Sequence, residues 1–224
     1  MKMKMLMRKE VKQMYYKALV AGIAIGLGGT AYLSIDNHVI GALVFSLGLL
    51  LICITDLELF TGKLCFTVKW FQAPDLIFVY MWNYIGVTLT ATVVYLAKPE
   101  LLEKANALCS MKLEEGWRVI FLGMLCNVLI FFAVSCFNRE KTGSYLILVL
   151  CIMAFILCGF EHSIANMFYF VLGGMAWKSW WYIALNTIGN LIGGMLIFRI
   201  QARALGFTYK VVSVAEDEEA KEVE

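Results

Sequence analysis

Two ionisable side chains, Glu161 and His162, stand side by side in the stretch CGFEHSIANMF, residues 158–168. Neither SYLILVLCIMAFIL before it nor YFVLGGMAW after it carries a charge. An imidazole, with an ordinary pKa near 6.5, suits proton exchange with a weak acid. A carboxylate beside the path of an anion would repel it. Glu161 is therefore assigned to hydrogen bonds that hold the backbone, as are Glu58 and Asp56. Glu161, His162 and Ser163 could also serve an intramembrane enzyme. Against that, neighbouring helix residues point in different directions, and no second histidine, nucleophile elbow or metal triad accompanies them. The expectation is no catalytic residue, no metal and no cofactor.

The elements that must position these residues follow from composition. The chain has 224 residues, 61% of them hydrophobic, with a mean hydropathy of +0.77. Soluble domains are about 45–50% apolar, so this chain needs a solvent other than water. Seven cysteines lie scattered through apolar runs with no C-x-x-C pair, which reads as buried small side chains and not a disulfide or metal framework. No nucleic-acid signature is present. Six apolar spans are expected, at about 18–35, 38–71, 75–97, 117–137, 144–176 and 179–204, each near the roughly 20 residues that cross a bilayer or longer. The second and fifth exceed one simple helix and contain polar interruptions. This divides the chain into a basic amino-terminal segment, 1–17, a transmembrane domain, 18–205, and an acidic tail, 206–224. WKSWWY (177–182) and KWF (69–71) have the composition of interfacial belts.

Orientation follows from Lys and Arg. With the amino terminus inside, fourteen basic residues fall on the inner side. Only Lys98, Lys104, Lys112, Arg118 and Lys178 fall outside. Both termini are expected in the cytoplasm. A shift of 103 residues lays Glu58 on Glu161, Asn83 on Asn186, Ile85 on Ile188 and Gly86 on Gly189. A repeat of three spans enters the membrane from opposite sides, so an inverted pair is expected, with its two interruptions meeting near the midplane. Irregular backbone there is tolerated only when buried in protein or lining a wet cavity. Half-helices starting near Thr61–Lys63 and near Ser163 would aim positive dipole ends inward, which suits a small anion. GIAIGLGG (22–29) and GNLIGG (189–194) permit close helix approach.

ELFTG (58–62), WNYIG (82–86), GFEHSIANMF (159–168) and GNLIGG (189–194) together resemble the formate–nitrite transporter family, over about residues 10–205. GFEHSIANMF is the specific signal. The resemblance implies an all-α integral membrane protein with an aquaporin-like inverted 3+3 repeat, its second and fifth helices broken. It implies a homopentamer with one pore per subunit, no cofactor, and small monovalent weak-acid anions as substrates: formate, nitrite, hydrosulfide, and in some members acetate or lactate. By the same resemblance His162 matches the central pore histidine and Thr61 the threonine of the first break. Leu49, Leu59 and Phe155 match the apolar residues that narrow the pore. Asn127 matches an asparagine of the fourth helix. Lys112 is the nearest candidate for a vestibule lysine, and Lys63 departs from the small or neutral residues that commonly follow FTG.

The expected function is a channel in the inner (plasma) membrane for such anions, formate first, with protons as co-passengers past His162. Hydrosulfide and nitrite are the alternatives within the family. A transport-inactive scaffold is the alternative from another class.

Overall fold

The computed structural model describes residues 2–66, 73–139 and 144–205, with side chains from residue 12 onward except at positions 73 and 139. The acidic tail from 206 and the KWF belt lie outside the described residues. All regular structure among them is helical: α1 (Lys2–Ser34), α2 (His38–Ile54), α3 (Phe60–Cys65), α4 (Ala73–Ala97), α5 (Leu101–Glu114), a 3-10 turn (Gly116–Arg118), α6 (Val119–Arg139), α7 (Ser144–Leu157), α8 (Ser163–Gly173) and α9 (Trp177–Ala204). Four stretches are long and apolar enough to cross a membrane: Lys12–Ser34, Pro74–Ala97, Gly116–Asn138 and Trp177–Ala204. The shorter apolar helices α2, α7 and α8 accompany them.

α1 begins well before the span expected from residue 18. Its first twenty residues hold no Gly or Pro and are rich in Lys, Met and other good helix formers, so nothing interrupts the helix on the polar side. α2 starts where Asn37 Oδ1 accepts the Val39 and Ile40 N–H groups, each at 3.0 Å, supplying an N-cap. α5 is an element the hydropathy walk did not anticipate. It buries Leu101, Ala105 and Cys109, one residue per turn on a single face, and its polar remainder hides it from a hydropathy window.

α1 packs on α4 and α2, α6 on α9 and α7, and α2 meets α7 between them. The crossings are close because glycine removes the side chain. A Cβ at Gly22 of α1 would collide with the Asn83 carbonyl oxygen of α4. One at Gly189 of α9 would collide with the Ile120 carbonyl oxygen of α6. Outward, Leu43, Leu47 and Leu51 of α2 and Leu146 and Leu150 of α7 are all exposed. Rows of bare leucine on this scale suit hydrocarbon or another subunit, not water.

Candidate substrate pathway

Between α2 and α3, and again between α7 and α8, the helical backbone stops and restarts through similar geometry. α2 ends with Asp56 in the left-handed region, φ 52°, and the Leu57 N–H bonding back to the Ile52 carbonyl at 2.9 Å. α7 ends with Gly159 at φ 68° and the Phe160 N–H bonding to the Phe155 carbonyl at 2.8 Å. Both are Schellman-type endings, in which a left-handed residue turns the chain and a later N–H satisfies an orphan carbonyl. α3 then starts after Leu59 and α8 after His162.

The exposed backbone polar groups of each break are held by an asparagine. Asn83 of α4 donates to the Glu58 carbonyl at 2.9 Å and the Ala18 carbonyl at 2.7 Å, and its Oδ1 accepts the Phe60 N–H at 2.8 Å. Asn190 of α9 donates to the Glu161 carbonyl at 2.9 Å and the Gly123 carbonyl at 2.8 Å, and accepts the Ser163 N–H at 2.9 Å. Asn186, the partner expected for Asn83 by sequence shift, lies one turn away. With its amide nitrogen facing acceptors, Asn186 also reaches the Glu161 carbonyl at 2.8 Å, and its oxygen accepts from Asn166 at 2.6 Å. The second break therefore has two amides where the first has one.

The two breaks meet at His162 and Thr61. His162 Nδ1 accepts the Ala165 N–H at 3.1 Å, capping α8, and Nε2 lies 2.8 Å from Thr61 Oγ1. A ring nitrogen that accepts from a backbone donor carries no proton. The neutral ring therefore holds its proton on Nε2 and donates it to Thr61. Phe155 stacks on the imidazole, with ring centroids 6.0 Å apart and planes 21° apart. Both imidazole nitrogens are thus engaged. Ser163 Oγ is buried and has no hydrogen-bond partner among the described residues, so the Glu161–His162–Ser163 sequence forms no nucleophile–base pair there.

Two cavities flank this meeting point and share no lining residue. One, of about 540 Å3, is bounded by Leu49, Leu59, Glu58, Lys63, Asp56 and Asp75. The other, of about 270 Å3, is bounded by His162, Phe155, Glu161, Lys112, Glu115 and His38, among others. Leu49, Leu59 and Phe155 are all buried. Lys112, carried into the second cavity by the last turn of α5, lies 2.6 Å from both Glu161 carboxylate oxygens. Asn166 Nδ2 donates to the same carboxylate at 2.7 Å. Lys63 pairs with Glu58 at 2.9 Å. Lys112, the candidate vestibule lysine, and Lys63 are thus each tied to a carboxylate. Asn127 reaches the Thr61 carbonyl at 3.3 Å and Cys65 Sγ at 3.4 Å. It lines neither cavity, and its Oδ1 is buried without a partner.

Sequence reasoning assigned no role to Asn83 or Asn190, and it missed Glu115 altogether. An asparagine inside an apolar helix is the signal that could have found the first two, because it must satisfy four hydrogen-bond sites away from water. Glu115 lies just beyond an amphipathic helix that the hydropathy walk did not resolve.

Closely packed apolar helices, four of them long enough to cross a bilayer, with two non-helical segments facing each other, are the features of a multi-pass membrane protein. Comparison with known proteins gives the class a family. The sequence model of the formate/nitrite transporter family matches residues 2–202, and the chain belongs to that family. It is 26% identical to the formate channel FocA of Escherichia coli (strain K12), over 91% of this chain and 87% of that one. It is 27% identical to the nitrite transporter NirC of Salmonella typhimurium (strain LT2), over 87% and 82%. A solved pentameric formate channel with formate bound superposes with a TM-score of 0.78 at 25% identity, over 88% of this chain and 98% of that chain. The family is one of transporters, so the chain is a transport protein and not an enzyme.

Proposed function

We propose that the chain is an inner-membrane channel for small monovalent anions of weak acids, formate first, with hydrosulfide and nitrite as the alternatives. Passage is coupled to a proton at His162. The observation that carries this reading is the His162–Thr61 hydrogen bond at the junction of two helix interruptions, with a cavity on each side. Leu49, Leu59 and Phe155 form the constriction. A bare anion crossing it loses hydration at a cost of several kcal/mol, and a protonated acid escapes most of that cost. The Nε2 proton, shared with Thr61 Oγ1, is the one placed to be lent to the anion. Asn127 holds the Thr61 backbone in position.

Six spans in an inverted 3+3 arrangement complete the reading. The repeated Schellman endings, the asparagine clamps, and the matching contacts of α1 with α4 and of α6 with α9 support it. Assembly as a homopentamer in the bilayer is supported by the pentameric relative, and cytoplasmic termini by the distribution of basic residues.

Uptake of formate, nitrite and hydrosulfide into proteoliposomes, at matched pH gradients, tests the reading with His162→Phe as control. Flux that rises as the pH of the anion-loaded side falls, and that is lost in the variant, supports it. Undiminished pH-dependent flux in His162→Phe would remove the histidine from the mechanism. No flux of any anion from correctly assembled wild-type protein would leave a scaffold.

A further inference from the structure

The cavity beside His162 contains an acid that the transport scheme above does not use. Glu115 closes α5, three residues after Lys112, and lines the same cavity. Tyr182 of α9, itself buried, donates its hydroxyl to Glu115 Oε2 at 2.6 Å. The tie holds the carboxyl at the wall, half-buried, beside the route an anion takes toward His162. The charged groups of this wall are Lys112, Glu161 and Glu115, with Arg118 of the following 3-10 turn close by. Lys112 is already neutralised by Glu161. With Glu115 ionised the lining has one cation against two carboxylates. With Glu115 protonated the charges balance. His38 also lines the cavity, across from α5, with its ring against the Tyr32 hydroxyl.

We infer that Glu115 is a specificity-determining residue for anion entry. Ionised, it repels anions from the cavity; protonated, it admits them. The inference rests on the transport reading and adds a second proton to it, one that opens the approach to His162 and is not carried across. Glu115 sits outside the membrane-spanning stretch that begins at Gly116. Burial, above all, raises its pKa over the ordinary carboxylate value, and the Glu161 charge adds to the rise. The Tyr182 hydrogen bond and the Lys112 and Arg118 charges oppose the rise. The net direction is upward from the ordinary carboxylate value.

The test is anion uptake as a function of pH for wild type, Glu115→Gln and Tyr182→Phe, each checked for assembly by size-exclusion chromatography. Gln keeps an oxygen for Tyr182 and removes the charge. Its neutral-pH flux should rise roughly three- to tenfold, the scale on which one charge at a cavity mouth alters local ion concentration, and its pH profile should flatten. Tyr182→Phe removes the donor that favours the carboxylate, so its profile should move to higher pH while keeping its steepness. A merely structural tie would lower assembly or flux in both variants without moving either profile. Glu115→Gln with the wild-type pH profile overturns the inference while leaving the transport reading intact. Wild-type protein that carries no anion overturns that reading, and the inference with it.

Discussion

The two helix interruptions solve the same backbone problem with different chemistry. Position by position, 103 residues apart, Asp56 stands against Gly159, Leu59 against His162 and Glu58 against Glu161. The first turn uses an aspartate in the left-handed region, a conformation that Asp tolerates and Gly adopts freely. The first N-cap position has no side-chain hydrogen bond, and the second is the imidazole itself. The Glu58–Lys63 pair has side chains 26% and 32% exposed, whereas Glu161 and Lys112 are 4% and 12% exposed. One break is partly exposed and has a single amide clamp. The other is more buried and richer in side-chain hydrogen bonds, which fix the surroundings of the imidazole.

The sharpest way to break the comparison is to remove the asparagines. Asn83→Leu leaves the buried Phe60 N–H and the half-buried Glu58 carbonyl unpaired. At about 1–3 kcal/mol for each orphaned group, the loss is roughly 2–6 kcal/mol. Asn190→Leu should cost about half as much, because Asn186 reaches the Glu161 carbonyl as well. Thermal unfolding of the detergent-solubilised protein, followed by loss of the assembled peak, measures both. An equal loss from the two substitutions would show that Asn186 gives no cover and that the halves are balanced after all.

That asymmetry bears on how much was legible beforehand. Membrane character was readable from long apolar runs, and the family from GFEHSIANMF and the shorter motifs around it. Glu161, expected among the hydrogen bonds that hold the break, has its carboxylate on two side chains, the Lys112 ammonium and the Asn166 amide. Lys112 arrives from α5, whose polar face lowers its hydropathy below any spanning window. The correspondence of Asn83 with Asn186 was a reading of spacing along a helix. The structure places Asn190 in the equivalent hydrogen bonds, because one turn of α9 brings two amides within reach of the same carbonyl. Spacing identifies a helix face and not which of two side chains on it makes the bond. The ion pairs of the two lysines were hidden for a similar reason. Lys63 and Lys112 are visible in the sequence, but their carboxylate partners become evident only when the chain folds back.

Charge removal at the two glutamates gives the next largest contrast. Glu161→Gln leaves the Lys112 ammonium without its counterion. Removing one partner of a fully buried pair costs about 3–5 kcal/mol, and contact of Lys112 with the cavity brings the expected loss to about 3 kcal/mol. Glu58→Gln breaks a pair open to the larger cavity and should cost about 0–1 kcal/mol. Raising the salt concentration should weaken the Glu58–Lys63 contribution further while leaving that of Glu161 nearly unchanged. Denaturation midpoints at low and high salt compare the two directly. A salt-sensitive Glu161→Gln effect would mean that its site is wetter than the geometry implies.

The smallest effect separates the two turns themselves. A side chain at Gly159 meets no atom within 4 Å, so Gly159→Ala tests backbone conformation alone and should destabilise by about 1–2 kcal/mol. The reciprocal Asp56→Gly relieves the left-handed residue of its Cβ. It also loses the 2.6 Å contact to Lys17, in which the aspartate is 92% exposed. A pair so open to solvent contributes little, so the conformational gain should dominate and the variant should be as stable as wild type or slightly more so. Marked destabilisation by Asp56→Gly would assign the first turn to its ion pair with α1. The contrast would then be between a turn held by backbone geometry at Gly159 and one held by charge at Asp56. Melting both variants in the same detergent and salt decides which description applies.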